Sequence, residues 1–250
     1  MKENTGEARY VPGFYGKKRP KSSVSIDNYF REWEQRQLEL KKKKPKPEMP
    51  PTICFSRKIG VGALEVADIL AEKIGYRVFD REILEQMASN ANVSQKTVAF
   101  FDELYPGKLS EFGALLFGEK SFIKSDYSRH LFKTVLSLAY LDPSIFVGRG
   151  THLILPRDRI LAVRCIGGKA HRIKRLTRIL KTKKTEAEKK LKNIDKEQRE
   201  FFKKVHGKKE ASPYEFDMVI NFDYISEPQW AADIVEKAFV IKFGKQVSGQ

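Results

Sequence analysis

One stretch constrains the fold more than any other: Thr52 to Phe79, TICFSRKIGVGALEVADILAEKIGYRVF. Thr52-Ile53-Cys54-Phe55 is a short β-rich run preceded by a proline-rich stop. Ser56 to Gly62 reads as a polar turn with two glycines. Leu64, Ala67, Ile69, Leu70, Ala71 and Ile74 then recur at helical spacing until Gly75 closes the helix. A strand that feeds a helix through glycines aims several backbone N–H groups and the positive end of the helix dipole at one spot. That geometry attracts phosphate. The full phosphate-loop motif G-x-x-x-x-G-K-[ST] is nevertheless absent. If Gly62 is its last glycine, Ala63 stands where the lysine belongs. Glu65 falls one place beyond the Ser/Thr position, or on it in a variant with an extra glycine.

Length and charge narrow the class. At 250 residues the chain fits one α/β domain with extensions, or two small domains. A hydrophobic share of 41% is enough for a core, and a net charge of +16 implies polyanionic company. Nucleotide phosphates, nucleic acid and an anionic membrane surface all satisfy that requirement. Cys54 and Cys165 sit in apolar runs and read as buried, reduced core residues without metal-ligand spacing. No apolar run approaches the ~20 residues of a membrane span. The charged N-terminus lacks a signal-peptide core, so a cytoplasmic location is the default expectation.

Residues 1–50 differ in character from the remainder of the chain. They are rich in Lys, Arg, Pro and Gly and read as a basic, partly disordered N-terminal extension. One helix is expected within it, Ser25 to Leu40, with Tyr29, Phe30, Trp33 and Leu40 near one face. Lys41 to Pro51 then forms a linker. Helices are expected over Arg81–Ala91, Ser94–Leu104, Lys124–Tyr140, Lys169–Leu180, Thr185–Val205 and Glu227–Phe239. Strands are expected at Ser144–Val147, Ile160–Ile166 and Met218–Asn221. Alternating strands and helices predict a parallel sheet covered on both faces, with Thr52–Phe55 central. The domain spans 51–243 and leaves 244–250 as a tail.

With these elements in place, the chain resembles a known family, the cytidylate kinase-like proteins, relatives of bacterial CMP kinase. Their phosphate loop looks like S-R-x-x-G-S-G-G, without the usual lysine. Ser56-Arg57-Lys58-Ile59-Gly60-Val61-Gly62-Ala63 matches it, with Val61 and Ala63 replacing serine and glycine. Gly75-Tyr76 with Phe79-Asp80-Arg81-Glu82-Ile83-Leu84 is similar to G-Y-x-x-x-D-x-E-[IL]-[IL]. Phe146 to Gly150 is similar to I-V-G-R, and Tyr214 to Asn221 to Y-D-L-x-x-N. The resemblance covers roughly Pro51 to Lys242. It implies a P-loop NTPase-type parallel sheet flanked by helices, with a basic helical lid over about 169–209. It also implies ATP and Mg²⁺ as cofactors.

Residue chemistry and the resemblance together mark the candidate site. Ser56, Arg57, Lys58, Gly60, Val61, Gly62, Ala63 and Leu64 form the candidate donor loop. Arg57 is placed to replace part of the missing lysine, because a guanidinium grips two phosphate oxygens at once. Asp80 comes directly after a second strand that ends the Thr52–Phe79 stretch, where it can face an acceptor or cap the next helix. In CMP kinases the place of Gly148-Arg149-Gly150 reads G-R-D, which implies that Arg149 contacts the acceptor. Gly150 replaces the aspartate, a departure that bears on cytosine selectivity. Lys169 to Lys209 carries 17 Lys/Arg against 5 Asp/Glu. Arg172, Arg175 and Arg178 share a broad helix face there. Asp195 with Arg199 looks like the lid's D-x-x-R, shifted one place because Gln198 occupies the arginine position. The four histidines show no ligand spacing. Phe201, Phe202 and Tyr214 read as packing residues.

The leading expectation is a nucleotide kinase-like enzyme that phosphorylates a nucleoside monophosphate, such as CMP, or a related small acceptor with ATP. The competing expectation is a catalytically degenerate relative that binds nucleotide as a regulatory ligand, or nucleic acid through its basic surface. Val61, Ala63, Gly150 and Gln198 favour the second, the first two because added Cβ bulk narrows a phosphate loop.

Overall fold

The computed structural model describes residues 26–32, 48–104, 107 and 125–247. Five strands form one parallel sheet: β1 (Thr52–Arg57), β2 (Arg77–Asp80), β3 (Ser144–Val147), β4 (Ile160–Ile166) and β5 (Met218–Asn221). Their order is β2-β3-β1-β4-β5, so β1 is central as its wholly buried TICFSR run demands. The helices that flank or cap the sheet are α1 (Ala63–Ile74), α2 (Arg81–Ser89), α3 (Ala91–Leu104), α4 (Asp126–Leu141), α5 (Lys169–Leu180), α6 (Lys184–His206) and α7 (Pro228–Val247).

Side-chain alternation along β1 divides the core. Ile53 and Phe55 point to the face covered by α1 and α7, where they meet Val66, Leu70, Val163, Val235 and Phe239. Cys54 points to the other face, where α2, α3 and α4 bring Leu84, Phe101, Leu131 and Val135. Leu131, Val135, Leu138 and Ala139 of α4 are buried as their spacing predicts. Both cysteines are buried free thiols, and burial pushes each up to about 12. Residues 26–32 are helical, and Ile26, Tyr29 and Phe30 join the α2–α4 side of the core. Trp33 and Leu40 lie outside the described residues, as do 105–106 and 108–124.

Several expectations need correction. The last helix runs to Val247, eight residues beyond Phe239, because Phe239 and Phe243 continue its buried face. The third helix starts at Ala91, three residues before Ser94. Tyr214 does not pack. It sits in a short 3-10 turn, and the residue is 96% exposed. Among the described residues, no helix is long and apolar enough to cross a membrane.

Candidate functional site

The carboxyl end of β1 carries the glycine loop. Lys58 N–H donates to Cys165 O at 3.0 Å, which holds the loop root against β4. Gly60 and Gly62 adopt φ of 87° and 99°, which is where the chain needs residues without a Cβ. Gly62 is the N-cap of α1 and offers no side-chain cap. The first i→i−4 bond of the helix is Val66 N–H to Gly62 O. The amides of Ala63 and Leu64 therefore have no intrahelical acceptor, and the dipole adds positive potential at the same point. Val61 and Ala63 are each 1% exposed and join the α1–α7 core. Their bulk faces inward, so the expectation that they narrow the loop's phosphate room is not met.

The α5–α6 hairpin lies over this loop. Ile59, 1% exposed, is buried among Ile173, Leu176, Ala187 and Leu191. Arg172 donates from Nε to Ile59 O at 2.6 Å and from Nη2 to Asp195 at 2.5 Å. Arg175 reaches the mouth of the loop and pairs with Glu65 at 2.6 Å. Its guanidinium carbon lies 3.1 Å from where a Cβ on Gly62 would stand. Gln198 Nε2 donates to Arg57 O at 2.8 Å. Arg178 is exposed, so the three arginines of α5 do not converge. Asp195 is engaged by Arg172 and lines, together with Arg199, a cleft lined also by Lys58, Arg164, Gln198, Phe202 and Glu210. Lys58 bonds Glu210 at 2.6 Å and holds that carboxyl below its ordinary range. Ser56 receives a 2.6 Å bond from buried Arg164.

On the other side of β1, three arginines approach one another. Arg57 is 8% exposed, and its Nη2 lies 3.9 Å from where a Cβ on Gly148 would stand; the Cβ of Arg81 lies equally close. Arg149 is 7% exposed, with its guanidinium 3.7 Å from the centre of the Phe201 ring. Glu85 Oε1 is shared by Arg149 and, at 3.2 Å, by Arg81. Burial, reinforced by the Arg81 and Arg57 charges, pushes the Arg149 guanidinium down to about 8. A guanidinium keeps its proton in a protein, so burying it beside two other cations favours an anion at the cluster. Beside it opens a cleft lined by Glu82, Glu85, Gln86, Ser89, Tyr127 and Phe201. The first four recur at i, i+3, i+4 and i+7 and give α2 a polar wall. Burial and then Asp80 raise the Glu82 carboxyl above its usual range.

Asp80 caps α2. Its Oδ1 accepts from Glu82 N–H at 3.0 Å and Ile83 N–H at 2.9 Å. Gly148, Arg149 and Gly150 form three successive left-handed residues, with φ of 96°, 55° and 67°. For Arg149 that conformation costs about 1–2 kcal/mol. Sequence reasoning missed Arg81, Arg164, Glu85 and His206 as members of this region. Arg81 and Glu85 were within reach of a pattern argument, as an i, i+4 pair beginning right after Asp80. His206 was not, because only the fold brings it to Gly150.

This is the architecture of kinase-type α/β proteins: a parallel sheet whose central strand runs into a glycine loop, with a basic helical hairpin above it. The chain belongs to the cytidylate kinase-like family, whose model matches residues 52–224. No curated protein matches it. Among solved structures, an uncharacterized protein from Eubacterium ventriosum shares the fold at TM-score 0.57 and 19% identity, over 77% of this chain and 98% of that one. A shikimate kinase from Bacteroides thetaiotaomicron aligns at TM-score 0.41 and 14% identity, over 77% and 97%. A dephospho-CoA kinase from Campylobacter jejuni aligns at 0.31 and 14%, over 77% and 98%.

Proposed function

We propose that this protein transfers the γ-phosphoryl group of ATP to a nucleoside monophosphate or a related small anionic acceptor. The observation that carries this reading is the pairing of two anion-seeking features across the carboxyl end of β1. One is the N-terminus of α1, uncapped by any side chain and faced by Arg175. The other is the Arg57–Arg81–Arg149 cluster beside the polar cleft. Phosphoryl transfer asks for this kind of positioning and positive charge and for little covalent chemistry.

In this reading Gly60 to Leu64 cradle the donor phosphates, and Arg175 leaves Glu65 to meet them. Arg57 sits between donor and acceptor, where charge develops on the transferring group. Asp80, Arg81 and Arg149 face the acceptor. Arg172 and Asp195 hold the α5–α6 hairpin in place as a lid, and Arg199 serves the approach to it. Glu65 and Asp80, in or at the first turns of α1 and α2, would hold a Mg²⁺ bound with the donor, which needs only one or two protein carboxylates, and it would neutralise phosphate charge there.

The second reading, a degenerate member that binds nucleotide without turning it over, has its own support. Arg172, Arg175 and Arg149 are each already paired with a protein carboxylate. The two readings separate in one assay. Purified protein is incubated with Mg-ATP and a panel of nucleoside monophosphates, and diphosphate products are measured beside an Arg149→Ala control. Acceptor-dependent product lost in Arg149→Ala supports transfer. Absence of product with every acceptor, alongside measurable ATP binding, leaves the second reading.

A further inference from the structure

We propose that His206 is a positioning residue that sets the backbone of Arg149 and ties it to the lid. This rests on the reading that Arg149 faces the acceptor, but its structural half stands without that reading. His206 is the last residue of α6 and is 1% exposed. Its Nε2 lies 2.8 Å from Arg149 O, the oxygen that the left-handed Arg149 turns toward it, and Nε2–H is the donor. The ring is held by aromatic neighbours on two helices, Phe202 at 5.0 Å, Phe132 at 5.9 Å and Phe201 at 6.2 Å between centroids.

The ring also occupies the space of any side chain at position 150. A Cβ there would lie 2.8 Å from its Cε1, 2.9 Å from its Cδ2 and closer still to Nε2. Real Cβ atoms do not make such contacts, and a ring wedged among three phenylalanines has nowhere to retreat. Gly150 and His206 are therefore a matched pair, and the bare glycine is the condition for the histidine. The helix that bonds the Arg149 backbone through His206 also lays Phe201 under the Arg149 guanidinium. About two turns earlier, it bonds Arg57 O through Gln198. One rigid element thus touches both the last residue of β1 and the arginine just beyond β3. Where lid and acceptor arginine are joined in this way, a lid displacement moves the Arg149 carbonyl with it.

Two measurements test the proposal. The first is a double-mutant cycle on thermal stability with Gly150→Ala, His206→Ala and the double variant. The Tm loss of the double variant should be clearly smaller than the sum of the single losses, because His206→Ala removes the clash that Gly150→Ala creates. Additive losses would overturn the matched pair, whether or not the protein is a kinase. The second uses whichever nucleoside monophosphate the transfer assay accepts, or, if there is no turnover, CMP binding by calorimetry. His206→Ala should raise the acceptor KM or Kd by about tenfold or more. ATP affinity should stay within about twofold, and added free imidazole should restore part of the loss. A loss shared equally by ATP and acceptor, or one untouched by imidazole, would assign His206 to packing alone.

Discussion

Gln198 Nε2 donates to the carbonyl oxygen of Arg57 at 2.8 Å, joining α6 to the last residue of β1. The position where the family pattern leads one to expect an arginine thus holds an amide that bonds backbone. Gln198→Leu removes the donor and leaves a part-buried carbonyl without it. The expected cost is about 1–2 kcal/mol of stability, with an ATP KM that rises while the acceptor KM changes less. Chemical denaturation and steady-state kinetics read the two halves separately. An unchanged midpoint would mean that water replaces the amide at no cost.

Arg175 is the cation placed to change partners. It pairs with Glu65 at 2.6 Å and lies against Gly62, at the mouth of the loop. Arg175→Ala should weaken ATP binding by about 1–3 kcal/mol, the range of a lost charge-assisted bond. Glu65→Gln should strengthen ATP binding in the absence of Mg²⁺, because the phosphate no longer competes with a carboxylate. Calorimetry with ATP and EDTA decides this. Weaker binding in Glu65→Gln would show that Glu65 orients Arg175 instead of restraining it.

The fold was legible because its signals are local. Ile53-Cys54-Phe55 is apolar on both faces of a strand, Gly60, Gly62 and Gly75 punctuate the segment, and α1 repeats its apolar residues at helical spacing. Those features place the central strand and the glycine loop without tertiary information. The site was legible only in part. Arg57 was selected inside the glycine loop, Arg149 through the resemblance to G-R-D, and Arg172 and Arg175 as one face of a basic helix, but their partners are set by distance in space. Asp195 illustrates the limit. One helical turn from Arg199, it reads as that residue's companion, yet it bonds Arg172 of the neighbouring helix at 2.5 Å. Val61 and Ala63 illustrate the converse. They look like obstructions in a motif, whereas a strand-to-helix turn points both into the core.

Besides accepting the Arg172 bond at its carbonyl, Ile59 connects loop and lid through packing, since its side chain is buried with Ile173, Leu176, Ala187 and Leu191. Ile59→Ala deletes most of that contact. A cost of about 2–4 kcal/mol is expected if the small cluster does not collapse around the cavity. Because the cluster is separate from the two main cores, loss should appear first as opening of α5 and α6. Limited proteolysis should then cut near residues 181–183 faster than in the parent protein. Equal cleavage with a lowered Tm would place the loss in the main core instead.

His152 gives the fold an acid limit. Burial pushes it from 6.5 down to about 4, and the bond to Glu215 at 3.3 Å offsets only part of that. Arg164 and Lys208 add to the depression, and Phe216 covers the ring at 4.6 Å. Burial raises the Glu215 carboxyl, but its bonds to Lys208 and His152 outweigh this and leave it below its ordinary value of 4.5. The sign comes from proton counting. Between pH 6.5 and about 4 the unfolded chain binds a proton at His152 that the folded chain refuses, so stability rises with pH there. The contribution is complete above pH 6.5 and is lost as pH falls through the window toward 4. Glu215 adds its own loss only below about pH 4.5. Urea unfolding at about pH 7, 6 and 5 should therefore show a falling midpoint in the parent protein and a flatter profile in His152→Gln, which cannot titrate. Parallel profiles would mean that His152 takes up its proton in the folded state with Glu215 as its counter-charge.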